Sequence, residues 1–132
     1  MSASRLLSNG TLVLVCLLAS CKPENKVSVK EKNFGDEIEI RQNLAFTFDR
    51  EIAPDSVLNL WDTTAYLSFT PVVKGAYKWT SRKELVFSPA SSFQPATEYR
   101  VELTDHLNRF NKVKQEVNDA DKIRFRTPYL SL

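Results

Sequence analysis

The chain predicts an all-β protein, a sandwich of two antiparallel sheets, on three observations. Short segments after position 37 alternate strictly between apolar and polar residues, the pattern of half-buried strands. Pro, Gly, Ser and Asp separate these segments, as turns between strands require. Phe, Trp, Tyr, Leu and Val supply one face of each segment, enough for two inner faces to bury a core.

The first element is not part of that sandwich. Arg5 gives the amino terminus a positive charge, residues 11–18 form an apolar run, and Ala19, Ser20 and Cys21 follow. An apolar core of about 8 residues is far short of the ~20 that cross a bilayer, and it suits an export signal. Leu18-Ala19-Ser20-Cys21 matches the lipobox pattern, in which small residues precede a cysteine that is lipidated before cleavage. Residues 1–20 are therefore expected to be a cleaved lipoprotein signal peptide, and Cys21 the lipidated new amino terminus. Each buried acyl methylene contributes ~0.8 kcal/mol, so a multiply acylated cysteine attaches stably to a membrane. Lys22 stands where an aspartate retains some lipoproteins in an inner membrane, which favours the outer membrane of a bacterial cell envelope, on either its periplasmic or its surface face.

Residues 21–37, beginning at the lipidated cysteine, are polar and charged and read as a tether. Residues 38–132 carry the domain. Residues 38–40 open it as a strand. Leu44, Phe46 and Phe48 alternate with Ala45, Thr47 and Asp49, and Leu67 and Phe69 share a face of the next strand. Beyond a turn at residues 73–76, Tyr77 and Trp79 face one way, followed by Leu85 and Phe87. Tyr99, Val101 and Leu103 alternate with Arg100, Glu102 and Thr104, and Ile123 and Phe125 with Lys122, Arg124 and Arg126. About seven strands in this order describe an immunoglobulin-like antiparallel β-sandwich. Residues 53–58 carry turn and capping residues and predict a short helical turn crossing between the sheets. Phe93-Gln94-Pro95-Ala96-Thr97-Glu98-Tyr99 reads as a tyrosine corner, whose hydroxyl bonds the nearby backbone. Residues 105–121 read as a packed loop with some helical character.

Composition excludes several functions. The net charge is +2 with acids and bases interleaved, so no nucleic-acid partner is expected. Mean hydropathy is −0.30, against an integral membrane protein. The 3 glycines are too few for a phosphate-cradling loop. Neither cysteine lies beyond position 21, so the body has no thiolate metal site and no disulfide, and Cys16 falls in the discarded signal. His106, the single histidine, has Asp105 beside it but no nucleophile or second ligand, and reads as a solvated loop residue. Asp119 and Asp121 lack the glycine turn and closing glutamate of a calcium loop. Ser88, Ser91 and Ser92 sit in no nucleophile elbow. No catalytic residue, cofactor, metal or small-molecule substrate is expected. Trp79 is assigned to the core through its partner Tyr77. Trp61 stands outside the pattern and is the candidate exposed contact.

Leu44-Ala45-Phe46-Thr47-Phe48-Asp49-Arg50-Glu51-Ile52 resembles the opening of bacterial Ig-like domains. Phe69-Thr70-Pro71, Gly75-Ala76-Tyr77-Lys78-Trp79, Leu85-Val86-Phe87-Ser88-Pro89, the tyrosine-corner run and Ile123-Arg124-Phe125-Arg126-Thr127 follow in order. The series is similar to the first macroglobulin-like domain of bacterial alpha-2-macroglobulin lipoproteins, over about residues 38–128. That resemblance implies a place in a protease inhibitor that traps its target, with a protein or protease as partner. The thioester motif Cys-x-Glu-Gln and the bait region of that family are absent from this sequence, so the resemblance implies the membrane-proximal base of such a trap. The alternative is a stand-alone surface adhesin or glycan-binding Ig-like module using Trp61.

Overall fold

The computed structural model describes residues 26–112, 114–117 and 123–129. Ten strands run through them: β1 (Lys26–Val27), β2 (Val29–Lys32), β3 (Leu44–Phe48), β4 (Trp61–Asp62), β5 (Leu67–Thr70), β6 (Gly75–Trp79), β7 (Glu84–Pro89), β8 (Glu98–Leu103), β9 (Glu116–Val117) and β10 (Ile123–Arg126). A five-stranded sheet in the order β2-β3-β7-β6-β4 faces a three-stranded sheet in the order β10-β8-β5, and β1 pairs in parallel with β9. Apart from that pair, the named strands run antiparallel to their neighbours.

Register explains why the alternation was readable. Leu44 lies opposite Phe87 and Phe46 opposite Leu85, while Tyr77 lies opposite Phe87 and Trp79 opposite Leu85. All six side chains are buried on one face. The small sheet answers with Leu67, Phe69, Tyr99, Val101, Ile123 and Phe125. Across the sandwich, Phe69 meets Phe87 with ring centroids 4.6 Å apart, and Tyr66 meets Trp79 edge-on at 5.4 Å. Each such side chain contributes roughly 1.5–3 kcal/mol through burial. Gly75 begins β6 because a Cβ there would lie 2.3 Å from the Ser88 carbonyl oxygen and 2.6 Å from the Phe87 ring. Only glycine lets the strand approach so closely.

The tyrosine corner forms as expected. The Tyr99 hydroxyl accepts from the Gln94 backbone N–H at 2.9 Å, and its ring stacks on Phe125 with centroids 5.3 Å apart.

Three expectations need correction. Much of the stretch read as a tether is folded: β1 and β2 lie within it, Val27 is buried, and Phe34 is a core residue. Lys30, Glu31 and Lys32 make β2 a charged edge strand with one half-buried valine, so it shows no alternation to read. Residues 38–40 are not a strand. The Ile38 N–H donates to the Arg126 carbonyl at 3.0 Å, beside a single bridge between Glu37 and Arg126. The short helical turn is real, a 3-10 turn at Asp55–Val57, yet it stays within one sheet, linking β3 to the far edge strand β4. Arg82 holds it, donating from Nε to Asp55 at 2.7 Å.

The late loop has the helical character expected of it. Thr104 caps a 3-10 turn at Asp105–Asn108, and Leu107 is buried beneath it. Asp119, Asp121 and Lys122 lie outside the described residues.

Candidate interaction surface

Cys21, the expected lipidation site, Cys16 and the rest of the expected signal segment also lie outside the described residues. What the structure does show is where the described chain enters and leaves. Lys26 pairs with Glu116, and Val29 with Phe48, at the end of the sandwich holding Trp79 and Tyr66. The other terminus passes Arg126, opposite Glu98, and the Ala96 N–H donates to the Pro128 carbonyl at 2.9 Å. Because β8 runs from Glu98 to Leu103, and Leu103 pairs with Leu67 beside Tyr66, these two ends are opposite. Tyr129 is 86% exposed at the far end.

Trp61 is on edge strand β4 and 53% exposed, as the sequence suggested, next to Leu60 at 60%. Asn59 enters the strand at φ 62, a left-handed turn that asparagine tolerates. The Lys78 ammonium stands 4.6 Å from the Trp61 ring centroid, so a cation already covers one face of the indole.

Beside it, Asp62 gathers a polar cluster that sequence reading missed. Its carboxylate accepts from the Thr64 backbone N–H and hydroxyl, both at 2.9 Å, from the Tyr66 hydroxyl at 2.8 Å and from Arg109 at 2.7 Å. Partial burial pushes the Asp62 carboxyl up, but the Thr64 and Tyr66 hydrogen bonds and the Arg109 charge outweigh it and bring it down to about 2. Burial, then the bond to Asp62, pushes the Tyr66 phenol up. The cluster ties the β4–β5 corner to the loop carrying Arg109. It is a clamp, since every acceptor it offers is already engaged by the chain itself. An Asx-type signal, Asp62 two residues before Thr64, was legible; Arg109, 47 positions away, was not.

His106 is exposed, with Nδ1 3.1 Å from the Ala65 carbonyl oxygen. The Thr104 hydroxyl donates to the same carbonyl at 2.7 Å, so the nearest hydroxyl is committed to the backbone. Ser92 accepts from Arg41 at 3.1 Å. Among the described residues no group of three or more His, Cys, Asp or Glu is placed to hold a metal. No helix among them is long and apolar enough to cross a membrane.

A groove of about 1070 Å³ runs along one side of the sandwich, between β5 and the start of β6. Leu67, Phe69, Val72, Ala76, Tyr77 and Pro89 give it apolar walls. Lys74 stands at one end, Asp105 and His106 at the other. Tyr77 reaches across it, donating from its hydroxyl to the Leu67 carbonyl at 3.1 Å, and burial pushes that phenol up to about 12.

A family model for the bacterial Ig-like domain matches residues 20–127. The chain belongs to that family. No curated protein matches it. Among solved structures, the Ig-like domain is similar to part of an L,D-transpeptidase from Mycobacterium tuberculosis H37Rv, at 11% identity and a TM-score of 0.49, covering 76% of this chain and 40% of that one. An L,D-transpeptidase from Mycobacterium smegmatis shows 12% identity and a TM-score of 0.48, with 81% of this chain and 41% of that one covered. This chain spans well under half the length of either.

Proposed function

We propose that this Ig-like domain is a non-catalytic binding module of the bacterial cell envelope, anchored by lipid on Cys21. The observation that carries the reading is the lipobox Leu18-Ala19-Ser20-Cys21 lying five residues before the first strand, at Lys26. Five residues of extended chain reach at most about 18 Å. An acylated Cys21 would therefore hold the Trp79 end of the sandwich close to the headgroups and point Tyr129 away from them. That polarity suits a domain that raises whatever follows it off the membrane, as the base of an alpha-2-macroglobulin-type protease trap in the outer membrane would.

The test is expression of the full chain in a bacterial host fed an alkyne-tagged fatty acid. The expected result is label on the mature chain, lost in Cys21→Ser, with the precursor accumulating when the lipoprotein signal peptidase is inhibited. Cleavage elsewhere, with no label on the wild type, overturns the anchor. The macroglobulin reading further expects β-domains and a thioester motif encoded in frame with, or adjoining, this domain. Their absence from the gene removes it and leaves a free-standing module.

Trp61 favours a second reading, a surface adhesin or glycan-binding domain. Lys78 leaves it one ring face for stacking. Quenching of Trp61 fluorescence by envelope oligosaccharides, lost in Trp61→Phe, is the outcome that reading requires.

A further inference from the structure

The two long seams of the sandwich are finished differently. On the β10 side the chain fills the seam itself. Residues 36–38 run beside the strand, with the Arg126 N–H donating to the Asp36 carbonyl at 2.8 Å and the Ile38 N–H to the Arg126 carbonyl at 3.0 Å. Phe34 drops between the sheets there, edge-on to Phe46 at 5.4 Å and to Phe125 at 5.6 Å. Backbone pairing and an apolar side chain together close that side.

The β5 seam has the same elements and no filler among the described residues. Thr104 donates its N–H to the Tyr66 carbonyl, at 3.1 Å, in the β5–β8 register. Residues two and four further along β5 pair in the same sense, so Ser68 and Thr70 point their backbone groups at β8. Leu67 and Phe69 then point theirs outward. Tyr77 occupies the Leu67 carbonyl, whereas the Phe69 N–H and C=O have no strand to meet. Opposite them, β4 covers only Lys78 and Tyr77 of β6, which leaves the outer backbone of Gly75 equally open. Val72, at the mouth, is 83% exposed. Lys74 and Asp105, at the two ends, form no ion pair with any described residue.

We infer that this groove receives an extended peptide segment of a partner protein, added antiparallel to β5 through Phe69, with an acidic residue reaching Lys74 and a basic one reaching Asp105. Unpaired edge amides select backbone, the apolar walls select alternate apolar side chains, and the end charges set direction. The four residues of β5 span about 14 Å, so the two charges stand four residues apart in the peptide. A second copy of this chain pairing antiparallel at β5 would put the two Lys26 ends in opposite directions, which one membrane cannot accommodate. The inference deepens the binding-module reading and rests on the anchor only where it excludes a second copy; Cys21→Ser abolishes anchoring and leaves the groove intact, so the two failures are distinguishable.

The probe is a blocked peptide, Ser-Glu-Val-Thr-Val-Lys-Ser, titrated into the full chain in detergent and followed by amide NMR and hydrogen exchange. The expected result is a shift and slowed exchange of the Phe69 amide. Lys74→Glu should weaken binding about fivefold, and replacing the peptide's Glu by Lys should restore it. Val72→Asp, at an exposed position, should abolish binding while the unbound spectrum stays folded. An unmoved Phe69 amide at millimolar peptide overturns the inference. So does concentration-dependent self-association through Phe69 without peptide, which would assign the groove to a second copy.

Discussion

Along β10 an extended stretch of the chain, with Phe34 in the core, lies on the sheet edge; along β5 the same kind of edge faces a groove whose walls are apolar and whose ends are charged. Both sides of the sandwich pose the same physical problem, an open seam between two sheets with unpaired backbone along it. One side is solved within the chain by residues 34–38. The other is blunted by a short strand, by Pro71 after it, and by the Tyr77 hydroxyl on the Leu67 carbonyl. The difference teaches that a seam filled from within acts as core, whereas a seam left open is free to act as a surface. Stability should concentrate at the first and binding at the second.

The largest effect belongs to the filled seam. Phe34→Ala should destabilise the domain by about 3–4 kcal/mol in a urea titration, because it empties the space between Phe46 and Phe125. A loss below about 1 kcal/mol would show that the β10 side does not depend on its filler, and the contrast would fail. Next comes the clamp at the β4–β5 corner. The Asp62 carboxyl lies at about 2 when folded, below its ordinary 3.8. Its contribution is therefore fully present above 3.8 and is lost as pH falls through about 2. Asp62→Asn should cost about 1–2 kcal/mol at neutral pH, allowing for its partly exposed side, and the gap from wild type should close in acid. A gap that persists at pH 2 would assign the loss to packing instead. The smallest effect is at the open seam itself. Val72→Thr should change stability by less than about 0.5 kcal/mol, as at other exposed positions. A larger loss would mean that this wall is already core.

Most strands of the fold were legible because their residues obey one local rule. Leu44, Phe46 and Phe48, or Tyr77 and Trp79, alternate since each strand buries one face against the facing sheet. The tyrosine corner was legible for a related reason, as Gln94 and Tyr99 are only five residues apart. β1, β2, β4 and β9 were not. β2 is a charged edge strand with no apolar alternation, and β1, β4 and β9 have two residues each, too few to show a period. The candidate site was partly readable. Trp61 broke the pattern and is exposed, yet nothing local announced that Lys78 would stand over it, 17 positions away.

The sequence by itself determined the sandwich, the faces of its main strands and the lipobox ahead of it, since each rests on neighbours a few residues apart. Tertiary structure alone decided that Phe34 and Ile38 belong to the core, that Asp62 meets Arg109, and that one seam stays open among the described residues. Those outcomes depend on which edges come together when two sheets stack. Long-range pairing leaves no period in the chain.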